Sequence, residues 1–421
     1  MWINNMMTET SEEINASNRL TRPLPKVPST FRQIKQNETC YDPSIVSIGP
    51  YHHGKPKLMA MEKLKITLAR QFVKDSGTNQ QENMYNRVSQ VAREVRQCYV
   101  EDTEMKQFND EEFAKMMFLD GCFILQFLFC LLEKPENLKM SGHDVALVAR
   151  DLFLLENQIP FKVLDELMEL SLLTQFSSTV PKSQEDKTTA TPKPAHLLEH
   201  FHHKFVARRN DAPAVIGYKD DSPKTWSSRY YPAEELRNVG IHFKPSTHFF
   251  TDVRFTPTFL AGRLYIPPLR IDDSTKPFLL NLVAYEACLG TSNDWITSYV
   301  CFMDSLIDHH KDVKELRSKG ILLSTLGSDK QVAELFNEIS DYLVPNPYAY
   351  KEVKRAIEDH YRNGIKRWVL HYKGPIYTFI FKYSFIYGLI VTAIKGYVSL
   401  VPKNPVFGIC KMAATNVTHC P

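Results

Sequence analysis

MMFLDGCFILQFLFCLL, residues 116–132, is apolar around its whole circumference when wound as a helix. At seventeen residues it stands at the lower limit of about 17–25 for a membrane span. Asp120, Gly121 and Gln126 interrupt it, and Asp120 is placed to cap a helix starting at Gly121. The expected reading is therefore a central helix buried in a folded body, around which amphipathic helices pack one stripe each.

Candidates for those partners flank it. Met61, Leu64 and Leu68 share a helical face, and Met84, Val88, Val91, Val95 and Cys98 recur at spacings of four and three. DVALVARDLFLLENQIPFKVLDEL (144–167) continues the helical pattern but is broken at Pro160, which pushes its preceding residue out of helical geometry. Two helices meeting at an ordered corner are expected, with Glu156, Asn157 and Gln158 as a buried hydrogen-bond hub closing it. CYDPSIVSIGPYHHG (40–54) carries Pro43, Pro50 and Gly54 and reads as an ordered loop.

The second half opens with AEELRNVGIHFK (233–244), a short helix ending near Gly240, followed over 248–271 by Val253, Phe255, Phe259, Leu264 and Ile266, a small hairpin or two strands. Thr275 and Pro277 start a further helix, another covers about 296–318, and Ser328 with Gln331 forms a capping box. Residues 1–26 read as a mobile leader and 177–194, SSTVPKSQEDKTTATPKP, as a disordered insert that cannot repay its ordering entropy. Polar composition persists through 217–232, the best internal boundary. The expected fold class is mainly α: a large helical domain over 27–375 with a small β-hairpin element, a C-terminal hydrophobic helix over 376–400, and a tail, 401–421.

The chain has 421 residues and a formal net charge of +3, which argues against a strongly basic nucleic-acid binder and an acidic disordered chain. That average conceals a polarised molecule. From His360 onward there are eight basic residues (Arg362, Lys366, Arg367, Lys373, Lys382, Lys395, Lys403 and Lys411) and no acidic ones, which leaves −5 on the preceding body. Embedded there is IYTFIFKYSFIYGLIVTAIKGYVSL (376–400). Its uninterrupted apolar centre, Tyr383 to Ile394, is short enough for a core or in-plane helix. Snorkelling of Lys382 and Lys395, tyrosines toward both ends and the missing acidic residues favour a span. Four basic residues precede the segment and two follow it, which puts the body in the cytoplasm; a soluble cytoplasmic protein is the alternative. The N-terminus lacks the pattern of a secretory signal.

The eight cysteines form no Cys-x-x-Cys pair and read as reduced thiols, Cys410 and Cys420 being the one pair placed to oxidise. Sequons occur at Asn15, Asn37 and Asn416. His196, His200 and His203 in HLLEHFHHKF (196–205) share a helical face, but Leu197 stands where a zincin needs Glu, so a solvated basic face outranks a metal site. His52-His53 beside Tyr51, and His309-His310 after Asp308, could join a carboxylate in acid–base work. Phosphate-binding glycine loops, a GxSxG elbow and an EF-hand loop are absent. No catalytic, cofactor-binding or metal-binding residue is assigned.

VSIGPYHHG (46–54), LMAMEKLK (58–65), MMFLDGCFIL (116–125), DLFLLENQIPF (151–161), LYIPPLRIDDSTKPFLLNLVAYEAC (264–288), ITSYVCFMDSLID (296–308) and GILLSTLGSDKQVAELFNEI (320–339) together resemble the plant-specific DUF247 family, also called UPF0481. The resemblance spans nearly all of 27–400. It implies a mostly helical single domain ending in a transmembrane helix, and no reaction. Some members are proposed as recognition determinants in grass self-incompatibility, which implies interaction more than catalysis. The chain departs from the family's pattern at Gly374-Pro375-Ile376 and in the two lysines, Lys382 and Lys395, within its apolar run. The expected function is a membrane-associated recognition or signalling protein that contacts lipid through 376–400 and an unknown protein partner, with no nucleic acid. The alternative is a hydrolase using His52 or His53 with an acidic partner from the second half.

Overall fold

A computed structural model describes residues 23–77, 81–100, 103–171, 193–206, 231–247, 249–258, 261–289, 294–362, 383–384 and 387–395. Its centre is the helix that the apolar stretch encodes. This helix, α3 (Asp110–Glu133), starts well before Gly121: Asn109 accepts from the Glu112 amide while the Glu112 side chain accepts from the Asn109 amide, a complete capping box. Asp110, Glu111 and Glu112 in its first turn complement the helix dipole. Asp120 is thus not a cap. It lies mid-helix, 1% exposed.

α1 (Met59–Asp75), α2 (Gln81–Arg96) and α5 (Phe161–Leu170) cover α3, so Phe113, Met117, Phe123 and Phe127 are fully enclosed. Each such side chain contributes about 1.5–3 kcal/mol by leaving water. α3 is long and apolar enough to cross a membrane by length and composition, the one such helix among the described residues, yet it is largely buried inside the body. The buried residues of α2, Met84, Val88, Ala92 and Val95, follow the stripe read from the sequence. Gly121 lets α5 approach α3: a Cβ there would come within 2.5 Å of Leu167 Cδ1 and 3.2 Å of Val163 Cγ1.

After α4 (Gly142–Asp151) the chain leaves helical geometry for nine residues before α5 begins beyond Pro160. This is the expected corner. The second half holds α6 (Leu197–Val206), α7 (Ala233–Asn238) and more β structure than expected. Gly240, at φ +84°, ends the α7 turn where the sequence predicts the helix to stop, and Ile241–Pro245 beyond it form strand β1, which the sequence does not predict. β2 (Arg254–Pro257) and β3 (Gly262–Ile266) form the expected antiparallel hairpin, and β1 adds in parallel to β3. β4 (Leu269–Ile271) pairs in parallel with the later β5 (Leu322–Ser324).

α8 (Thr275–Leu289) begins at the expected residue. The helix expected over 296–318 is two, α9 (Trp295–Leu306) and α10 (His310–Ser318), because a His309–Asp312 capping box restarts the winding. α11 (Asp329–Ser340) is capped by Ser328, whose hydroxyl accepts from the Gln331 amide at 3.3 Å. α12 (Lys351–Arg362) follows.

The chain divides into two units, Met1–His360 and Tyr361–Pro421. Of the C-terminal hydrophobic helix expected over 376–400, only 383–384 and 387–395 are described; those residues are helical, and the rest of that element lies outside the described residues. Residues 1–22 of the leader and 172–192, which hold most of the insert, also lie outside them, as do Cys410 and Cys420. Of residues 23–26, Leu24 is packed into the body, 1% exposed, its amide donating to the Cys98 carbonyl at 2.6 Å. The six described cysteines are free, four of them buried.

Gly121→Ala should destabilise the fold by about 1–3 kcal/mol through overpacking against α5. Urea denaturation measures this, and an unchanged midpoint would contradict the close approach.

Candidate functional site

The loop 40–54 and the corner 151–158 meet in a polar cluster. A loop buried this deeply must find partners for its backbone amides. The carboxylate of Asp151 accepts from the amides of Ser44 (2.9 Å), Ile45 (2.7 Å) and Val46 (3.1 Å), and the Arg150 guanidinium balances its charge at 3.0 Å. Asn157 accepts from the Ile48 amide at 2.7 Å and donates to the carbonyls of Val46 (3.1 Å) and Asp151 (2.9 Å). Gln158 donates to the carbonyls of Leu152 (2.8 Å) and Leu154 (2.9 Å), and accepts from the Leu198 amide at 3.1 Å. The buried hub expected at 156–158 is present. Asn281 of α8 joins it from the second half, accepting from the Leu155 amide at 2.8 Å and donating to the Cys40 carbonyl at 2.9 Å.

Beneath the loop lies an ion pair. Lys65 Nζ stands 2.5 Å from Asp120 Oδ1, with side chains 0% and 1% exposed. Lys65 also donates to the Ser47 carbonyl (2.8 Å) and reaches Glu62 (2.9 Å). Burial pulls the lysine pKa down, but Asp120 and Glu62 outweigh it and hold the ammonium above its usual range. The other carboxylate oxygen of Asp120 accepts from the Gly49 amide at 2.8 Å. Gly49 sits at φ +71°, and a Cβ on it would meet the Gln158 carbonyl oxygen at 2.7 Å, so only glycine fits there.

The histidine that best fits acid–base work is His52, but its carboxylate neighbours come from the first half, not the second. Its Nε2 is 3.9 Å from Glu156 Oε2 and its Nδ1 is 4.0 Å from Asp42 Oδ1. Arg32 bridges the two acids, 2.5 Å from Glu156 and 3.4 Å from Asp42. Lys55 Nζ lies 2.7 Å from His52 Nδ1, which makes that nitrogen the acceptor and assigns the proton to Nε2. Burial, reinforced by Lys55 and opposed by Asp42, pulls the imidazole pKa down to about 3. The ring is 2% exposed. A general base poised near neutrality and reachable by substrate needs the reverse of both conditions. The cluster acts as a structural clasp.

The remaining histidines go separate ways. His53 packs edge-on against Phe108. His309 pairs with Asp308 at 2.8 Å on the exposed start of α10, where His310 is exposed too. His196 immediately precedes α6 and, contrary to the solvated face expected, is buried, its Nδ1 accepting from the Glu199 amide at 3.2 Å; His200 stacks on Phe161, and His203 lies 3.7 Å from Glu199. The shared face does not become a shared ligand set. Among the described residues no three His, Cys, Asp or Glu side chains are grouped to hold a metal ion.

Sequence reasoning passed over His202, which is buried and 2.9 Å from Glu286 of α8. Glu286 also accepts from the amides of Ile296 (2.9 Å) and Thr297 (2.8 Å) and from the Thr297 hydroxyl (2.7 Å), so it caps α9. Two signals pointed there: Glu286 is the one acid in FLLNLVAYEACL, and His202 falls four residues after Leu198, on the buried face.

The DUF247 family model, described as a plant protein of unknown function, matches residues 24–394. The chain is 26% identical over 428 residues to UPF0481 protein At3g47200 of Arabidopsis thaliana, covering 89% of this chain and 86% of that one. It is 25% identical to the putative UPF0481 protein At3g02645 of the same plant, over 78% of this chain and 80% of the relative. No solved structure matches.

Lys65→Met should cost about 3–5 kcal/mol because it leaves Asp120 buried and uncompensated, and adding Asp120→Asn should recover part of that loss. Chemical denaturation of both variants checks this, and a double variant no better than the single would contradict it. Between the usual histidine pKa of 6.5 and about 3, the unfolded chain binds a proton that buried His52 does not. Its contribution is therefore fully present above pH 6.5 and drains as pH falls, by up to a few kcal/mol. His52→Gln should flatten the loss of stability from pH 7 toward acid; parallel curves for the two proteins would contradict the assignment.

Proposed function

The chain belongs to the DUF247 family of plant proteins, and from that premise we propose that it is a membrane-associated recognition or signalling protein, with a cytoplasmic helical body that meets a protein partner. The observation that carries this reading is the segregation of charge. Eight basic and no acidic residues follow His360; six flank the apolar stretch 376–400 and two, Lys382 and Lys395, lie within it. A stretch of that composition suits an anionic lipid surface. Lys382 and Lys395 can extend toward the headgroups and lengthen the effective apolar span, while Tyr383, Tyr387 and Tyr397 suit the interface.

The body supplies a second support. Its buried polar network ties the loop 40–54 to the rest of the fold, and His52 within it is enclosed and neutral. A histidine held this way fits recognition better than turnover. The excess of basic residues before the apolar stretch, four against two after it, favours a cytoplasmic body.

Alkaline carbonate extraction of tagged full-length protein is the test. Retention in the membrane pellet, lost on deletion of 376–421, is expected. Release of the full chain at the same level as the deletion would overturn the anchoring.

A further inference from the structure

Asn37-Glu38-Thr39 is an acceptor sequence for N-linked glycan, and the fold hides it. Asn37 lies in the 3-10 helix Lys35–Tyr41 and is 0% exposed. Both polar atoms of its side chain are buried, with no hydrogen-bond partner among the described residues. A sugar joined to Nδ2 has no route outward unless this helix swings off the body.

That swing would be costly, because the helix is a docking point between sequence-distant parts. The Cys40 carbonyl accepts from Asn281 at 2.9 Å and the Gln36 carbonyl from Lys276 at 3.2 Å. Tyr41 is 0% exposed, and Arg32 just before the helix holds Glu156 at 2.5 Å. Oligosaccharyl transfer acts on the nascent chain before folding. A chain that entered a glycosylating lumen would thus receive its sugar first and then be unable to bury Asn37. Cys40, three residues on in the same helix, is a free buried thiol, as a reducing compartment would leave it.

We infer that Asn37 is an acceptor site the fold forbids, so the native body forms only on the side of a membrane that lacks oligosaccharyltransferase. This deepens the cytoplasmic placement of the body proposed above and rests on that part of the reading, but not on the anchor, since a chain released by carbonate would obey it equally.

The test fuses a secretion signal to the full chain carrying Asn15→Gln and Asn416→Gln, so that Asn37 is the one remaining acceptor, and compares it with the same chain bearing Thr39→Ala. Thr39 is exposed, so that change leaves the packing intact. Glycan is read as a glycosidase-sensitive mobility shift, and folding as protease resistance. The fused chain should be glycosylated and yield about tenfold less resistant protein, or lower still, than its Thr39→Ala partner, a factor equal to roughly 1.4 kcal/mol. The unfused natural chain should carry no sugar at Asn37. A glycosylated chain as resistant as Thr39→Ala, a fused chain that folds unmodified, or a natural chain glycosylated at Asn37 would each overturn the inference. So would equal failure of both fused chains, since something other than the sugar would then bar the body from the lumen.

Discussion

The rest of the body depends on one charge pair placed where charge is least welcome. Lys65 and Asp120 face each other at 2.5 Å under the loop 40–54, Asp120 halfway along the apolar helix α3. Either group alone would carry a heavy desolvation penalty; together, with the Gly49 amide, the Ser47 carbonyl and Glu62 using their remaining hydrogen-bonding capacity, they are satisfied. The pair fixes where α1 crosses α3 and where the loop lies over both. Gly49 can then approach the Gln158 carbonyl, which brings the corner 151–158 into register and lets Asp151 and Asn157 collect the loop amides.

This arrangement explains why several separated sequence stretches act as one. SIVSIGPYHHG (44–54) supplies the amides, MEKLK the lysine, FLDG the aspartate and LLENQIP the amide side chains. Their meeting place looks at first like an active site, with His52 between two carboxylates. The magnitudes decide otherwise: an imidazole held neutral to about pH 3 and 2% exposed is a packing element with polar edges. Asn281 extends the clasp to α8, so the second half is held to the same centre.

Much of this was legible in the residues, and what was not had local physical causes. The all-round apolarity of 116–132 revealed the central helix, and Pro160 with Glu156-Asn157-Gln158 revealed the corner and its hub. Asp120 was misplaced as a cap because its true partner, Lys65, is distant in sequence and invisible to any local pattern. β1 was missed although IHFK alternates apolar and polar residues, because four residues directly after a helix are too few to mark a strand without the partner β3, which lies some twenty residues on. β5 was missed because three residues become a strand only when β4 offers them a partner. The three histidines at helical spacing read as a solvated basic face, but of the three only His203 is exposed and His196 is buried, since a shared face says nothing of what each neighbour offers; His202, one position off that face, makes the buried contact with Glu286.

The central claim is that the loop 40–54 is fastened into the core by buried side-chain acceptors and moves only when the core opens. Native-state hydrogen exchange reads this directly at the amides of Ser44, Ile45, Val46, Ile48 and Gly49, which donate to Asp151, Asn157 and Asp120. Protection matching that of α3 amides is expected, because all of them should require the same opening. Exchange at those five amides as fast as in an open surface loop, while α3 stays protected, would contradict the account.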